Sequence, residues 1–222
     1  MSTITAPSAP PSPPHKTIAE LLRELGDIPA HRVRLFPYPG TATEADAYRV
    51  NEHERCCELV DGTLVEKATG VPESFVACLL IQFIGPFVRV NKLGIMTCPD
   101  GLYRMIHGNL REPDVSFTRK GRGKRPLPQI GDWCPDLCVE VISPGNTKAE
   151  MARKRVEYFQ SGCRLVWEFD LRTRTADAYT DPTSATRLTE TDTLDGGDVL
   201  PGFTLSLAEL FAAFDEGMEG MQ

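Results

Sequence analysis

The chain has 222 residues, of which 41% are hydrophobic and 25% charged, and a formal net charge of −7. That is enough chain for one domain with a sizeable core plus appendages, and the composition is that of a globular protein. The acidic balance argues against a protein whose main task is to coat nucleic acid, because phosphate attraction supplies most non-specific affinity. It leaves open an enzyme whose acidic residues are offset by bound metal.

Residues 1–16, rich in Pro, Ser and Ala, read as a disordered tail without the basic-then-apolar layout of a secretory signal. Residues 17–44 form an N-terminal helix and connecting segment, with Ile18, Leu21 and Leu22 on one side and Gly26 as a C-cap. Residues 45–216 carry the main domain, and 217–222 read as a flexible end. Arg32 to Phe36 is expected to be extended and Thr43 to Asn51 helical. A hairpin follows, Cys57-Glu58-Leu59-Val60 and Thr63 to Lys67 around Asp61-Gly62. Glu73 to Val90 reads as a long buried helix. Its apolar run, Phe75 to Val90, is interrupted by Gln82, Gly85, Pro86 and Arg89, which argues against a membrane span and for a cytoplasmic protein.

Extended segments are expected at Ile95 to Thr97, Leu102 to Ile106, Asp114 to Phe117 and Leu137 to Ser143. Thr147 is placed to cap a helix running to Gln160. Strands follow at Arg164 to Asp170, Thr173 to Thr180, around Arg187-Leu188-Thr189 and at Leu200 to Leu205, then a helix from Leu207 to Phe214. This order predicts an α/β (α+β) fold with a mixed central β-sheet flanked by helices. The seven cysteines have the spacing of neither a disulfide framework nor a zinc site and read as free thiols.

Glu140 stands inside an apolar strand, Leu137-Cys138-Val139-Glu140-Val141-Ile142, which breaks at Ser143-Pro144-Gly145. A lone buried carboxylate costs several kcal/mol, so it calls for a counter-charge or a metal. Asp114 opens another strand after Pro113. If the two strands are neighbours, both carboxylates can hold one divalent ion, and oxygen ligands favour Mg²⁺ or Mn²⁺. Without a ligand, Asp114 would only brace a turn and Glu140 would pair with an arginine or backbone amides. Glu150, Lys154 and Tyr158 are spaced to share one helix face, which must fold back over the strand end. Arg119, Lys120, Arg122, Lys124 and Arg125 form a basic loop suited to phosphate contacts.

The ordered set E-L-V-D-G, R-E-P-D-V, P-D-L-C-V-E-V-I-S-P-G-N-T, a helix with Lys154 and Tyr158, then R-L-V-W-E-F-D resembles the Uma-two family of the PD-(D/E)XK nuclease superfamily over Val33 to Phe214. The resemblance implies a restriction-endonuclease-like core and a Mg²⁺-dependent (or Mn²⁺-dependent) endonuclease acting on DNA, with no other small-molecule cofactor and as a homodimer. Asp114 and Glu140 would be its catalytic metal ligands, with the Val141 backbone carbonyl as a third. Ile142 stands where the superfamily usually carries lysine, and Lys154 of the following helix would replace it. Glu150 and Tyr158 would support that lysine, and the first acid of the site would be Glu73 or Glu58. The missing lysine at 142 and the negative net charge keep a second reading open, a catalytically inactive nuclease-fold module binding nucleic acid or protein.

Overall fold

The computed structural model describes residues 17–54, 56–123 and 127–219; the expected tail, Lys124 and Arg125, and the last three residues of the expected flexible end lie outside them. The chain opens with α1 (Ile18–Glu24), whose N-cap Thr17 accepts from the Glu20 amide. Gly26 follows at φ +89°, and a Cβ there would meet the Glu150 backbone nitrogen at 2.6 Å. Only glycine lets the end of α1 come this close to the later helix. Where extended chain was expected near Arg32, a 3-10 turn covers Ala30–Arg32, and Val33 makes a single bridge to Val65.

Helix α2 (Glu44–His53) starts in a capping box between Thr43 and Asp46. β1 (Cys57–Val60) and β2 (Thr63–Glu66) form the expected hairpin, with Asp61 and Gly62 both at positive φ as a two-residue turn requires. This hairpin does not join the central sheet. It pairs with β5 (Leu110–Arg111), which pairs in turn with β4 (Tyr103–Arg104), in a four-stranded sheet of order β2-β1-β5-β4. The strand expected at Leu102 to Ile106 is cut short. The chain turns at Ile106–Gly108, with His107 at φ 59°, and returns as β5.

The central sheet has six strands. Besides β3 (Gly94–Thr97), β6 (Val115–Arg119) and β7 (Leu137–Ile142), it contains β8 (Leu165–Asp170), β9 (Thr175–Tyr179) and β10 (Ala185–Thr189), in the order β10-β9-β8-β7-β6-β3. β7 and β8 are parallel, joined by α4 (Lys148–Gln160), and the other neighbours are antiparallel. The mixed sheet matches the expectation. β11 (Thr193–Asp195) and β12 (Thr204–Ser206) pair separately, and α5 runs Leu207–Glu219, one turn beyond its expected end.

Alternation along β7 divides its side chains between two layers. Leu137, Val139 and Val141 face the main core, built with α3 (Val71–Val90) and α5. Cys138 faces α4 and packs with Tyr158 and Val166. α3 starts two residues earlier than expected, and by length and composition it would suffice to cross a membrane. In the fold its buried stripe of Val76, Ala77, Leu80, Ile84 and Val88 lies on the sheet.

Candidate active site

The antiparallel register of β6 and β7 pairs Val115 with Val139 and Ser116 with Cys138. Extended by one residue, it sets Asp114 opposite Glu140, on the α4 side of the sheet. The Val141 amide donates to Asp114 Oδ2 at 2.8 Å, which ties the two strand ends together. Glu140 also lies beside Glu168 of β8. Three acids therefore run across three strands on one face.

Each acid meets its own cation. Lys154 of α4 places Nζ 3.1 Å from Glu140 Oε2 and 3.0 Å from Glu58 Oε1, which comes from the hairpin. Tyr158, one turn further along α4, donates to the other oxygen of Glu140. Lys67 donates to Asp114 Oδ1 at 2.8 Å and to the Glu112 carbonyl at 2.6 Å. Arg155 takes Glu168 at 2.7 Å. Lys154, Glu58 and Glu140 are all at least nineteen-twentieths buried, whereas the Asp114 side chain keeps 15% of its surface exposed. Asp114 faces a cleft of about 420 Å³ that it lines with Val141, Glu73, Ser74, Gly70 and Pro99.

Sequence left Glu58 and Glu73 as alternatives for the first acid, and the structure gives them different places. Glu58 joins the buried lysine network, and Glu73 lines the open cleft beside Asp114. Glu150 shares the buried face of α4 but does not hydrogen-bond Lys154. It forms a forked pair with Arg32 at 2.7 and 2.9 Å, accepts from Asn146, and closes a capping box with Thr147. Glu150 therefore acts on Lys154 through its charge and by holding the start of the helix, not through a hydrogen bond. The basic loop lies elsewhere. Arg119 ends β6 and Asp114 precedes it, so the two are separated by roughly 16 Å of strand. Arg122 is committed to Asp136 at 2.6 Å and to the Gly162 carbonyl at 2.7 Å. Arg119 and Lys120 instead line a separate cleft of about 920 Å³ with Arg89 and Lys92.

Two residues escaped the sequence reading. Lys67 follows β2, and the hairpin register continued by its amide bond to the Cys56 carbonyl puts it on the same face as Glu58; strand alternation was the available signal. Arg111, buried on β5, donates to Glu58 Oε2 and to Glu157 Oε2, each at 2.7 Å. No local pattern marks it, because both partners are distant in sequence.

The charges respond to this crowding. Burial alone would raise the Glu58 carboxyl, but Lys154 and Arg111 outweigh it and hold Glu58 below the usual carboxylate range. Glu140 must share Lys154 and lies near Asp114, so burial wins and it is pushed up to about 7. Lys154 and Lys67 are desolvated, yet their carboxylate neighbours raise both above the ordinary lysine value. Burial and the Glu140 charge hold the Tyr158 hydroxyl protonated as a donor. A further carboxylate stands outside this balance. Glu112 is fully buried, and neither of its oxygens has a hydrogen-bond partner. Burial pushes Glu112 up to about 7, against the pull of the nearby Lys67 charge.

A buried acid with a raised folded-state pKa binds more protons folded than unfolded, so it lowers stability as pH climbs from about 4.5 to about 7. Glu112→Gln is therefore expected to stabilise the metal-free protein at about pH 8 by on the order of 2 kcal/mol and to change little near pH 4. Urea unfolding at the two pH values measures it; an equal effect at both would show that the charge is not the cause.

A donor set of two facing carboxylates, each oxygen with lone-pair capacity beyond its single hydrogen bond, fits a hard divalent cation. A mixed central sheet flanked by helices, with such acids at one end of its strands, is the arrangement of a restriction-endonuclease-like core. A crystal structure described as a putative nuclease belonging to DUF820 from Anabaena variabilis shares this fold, with a TM-score of 0.66 at 16% identity over 72% of this chain and 92% of that one. Residues 43–208 match the Uma2 family, described as "Putative restriction endonuclease", and the chain belongs to that family. No curated protein matches the sequence.

Proposed function

We propose that the protein is a Mg²⁺-dependent (or Mn²⁺-dependent) endonuclease hydrolysing DNA phosphodiester bonds. The observation that carries this reading is Asp114 facing Glu140 across adjacent strands with Lys154 Nζ at 3.1 Å from the second acid. Asp114, Glu140 and the Val141 carbonyl would hold the metal, which when bound polarises a phosphoryl oxygen and acidifies water. Lys154, kept protonated by two carboxylates, supplies fixed positive charge where negative charge grows on the phosphoryl group. Tyr158 and Glu58 hold the oxygens and the ammonium in place, so no reorganisation is needed during the reaction. Lys67 neutralises Asp114 until a cation competes for it. Glu73, on the cleft wall, is placed to orient water or a phosphate from the open side.

Arg119 and Lys120 would contact backbone phosphates some distance along the duplex, and Lys124 and Arg125 complete that loop in sequence. Such contacts position a duplex without reading its bases. Cutting both strands would need two copies of the site, hence a homodimer.

The test is nicking of supercoiled plasmid. Wild type with Mg²⁺ is expected to cut, chelation to stop it, and Asp114→Asn or Glu140→Gln to lower the rate by at least about a thousandfold, since the metal supplies several kcal/mol. Equal rates in wild type and both variants would refute the assignment. Tight duplex binding with no cleavage under either metal would favour a binding module instead.

A further inference from the structure

Three side chains from separate segments converge next to the lysine network but outside it. Cys56 precedes β1, Asp100 sits in the turn between β3 and β4, and Glu112 lies between β5 and Asp114. Their donor atoms all lie within 4.8 Å of one another, and Cys56 Sγ is 3.0 Å from Asp100 Oδ1. They grade from exposed Asp100 through half-buried Cys56 to fully buried Glu112. Glu112 is the telling member, because both its oxygens are sealed from water and unpartnered while aimed at the other two. A carboxylate in that state gives up its hydration without a hydrogen bond in return. Lys67 does not satisfy it: its amide goes to the Cys56 carbonyl at 3.0 Å and its ammonium to the Glu112 carbonyl at 2.6 Å. Those bonds instead fix the backbone of two of the three residues.

The geometry points to a transition-metal site, distinct from the Asp114–Glu140 pair, in which Cys56, Asp100 and Glu112 bind one divalent ion of the zinc class. One thiolate and two carboxylates suit a borderline-soft ion and disfavour Mg²⁺, which takes oxygen alone. Around a four-coordinate zinc, donor atoms stand roughly 3.5 Å apart, a spacing bracketed here by the 3.0 Å between Cys56 and Asp100 and the 4.8 Å within which all three donors lie. The exposed side leaves an entry path and one position for water. Bound there, the ion would pin the turn that carries Pro99, which lines the wall of the cleft at Asp114. Cys134, Cys138 and Cys163 also cluster, but all three are buried and Cys163 already contacts the Leu165 carbonyl at 3.1 Å. They read as packed thiols.

The experiment is a Co²⁺ titration of the chelator-treated full-length protein, followed by the thiolate-to-cobalt charge-transfer band in the near ultraviolet. One equivalent is expected to develop the band, and Zn²⁺ to abolish it by displacement. Asp114→Asn and Glu140→Gln should leave it intact, which separates this site from the nuclease reading. Cys56→Ser should remove the band. Glu112→Gln and Asp100→Asn should weaken Co²⁺ binding by at least about tenfold, the least that even an outer partner's loss costs; Asp100 is exposed, so that variant cannot fail through misfolding. Absence of the band in wild type, or its persistence in Cys56→Ser, overturns the assignment.

Discussion

Lys154→Met is expected to abolish magnesium-dependent nicking and to destabilise the fold at the same time. Methionine roughly fills the volume of the lysine stem, so packing is nearly kept and the change is one of charge. The ammonium lies 3.0 Å from Glu58 and 3.1 Å from Glu140. Its removal leaves Glu140 with only the Tyr158 hydroxyl and Glu58 with Arg111 as its one contacting cation, both where water cannot reach them, and breaking such a buried pair costs about 3–5 kcal/mol. For a chain of this length that is a fall in melting temperature of roughly 10 °C. Glu140 can be relieved by protonation, so the deficit should shrink as pH is lowered from about 8 to about 5. Adding Glu140→Gln should recover part of the lost stability, and a double-mutant cycle measures the coupling. An unchanged melting temperature would show that the amine does not hold the acids together, and wild-type nicking by the folded variant would remove it from the mechanism.

Arg111→Met is expected to be nearly as damaging to stability, through a different pair. Arg111 joins Glu58 to Glu157, and all three are buried. Glu157 keeps Asn109 and Arg153 as partners, so the larger penalty falls on Glu58, left with Lys154 and the Glu112 amide. A loss of about 3–5 kcal/mol follows from the same desolvation argument. Arg153→Met provides the contrast. That guanidinium is a quarter exposed, and its pairs with Asp61 and Glu157 should be worth about 1 kcal/mol or less. Denaturant midpoints at constant slope give both numbers. Similar losses for the two arginines would mean that burial is not what sets the energies here.

The parts of this site that could be read before any coordinates have local causes. Glu140 was conspicuous because a charge interrupts an apolar strand, and Thr147 because a capping residue follows a Pro-Gly break. Both are arguments about a handful of neighbouring residues. The capping box also shows the limit of such reasoning. Helical spacing makes Glu150 a companion of Lys154, but its place three residues after the cap and the arrival of Arg32 claim its oxygens first. Spacing says which side chains share a face, not which of them bond. Likewise the basic residues after β6 were legible as a charge cluster. That they sit at the opposite end of the strand from Asp114 follows from the direction β6 runs, and that Arg122 is spent on Asp136 follows from the fold around it.

Composition, strand alternation and helix caps were thus sufficient for the mixed sheet, the order of its strands along the chain and the elements that carry Asp114, Glu140 and Lys154, because those signals act over a few bonds. The second sheet, the lysine clamped on Asp114, the arginine shared by Glu58 and Glu157 and the orphaned Glu112 belong to the folded chain alone. Arg32 and Glu150 are separated by 118 residues, and Glu58 and Arg111 by 53. Partnerships of that reach form only when folding withdraws both groups from water, and the same withdrawal gives each of them its strength.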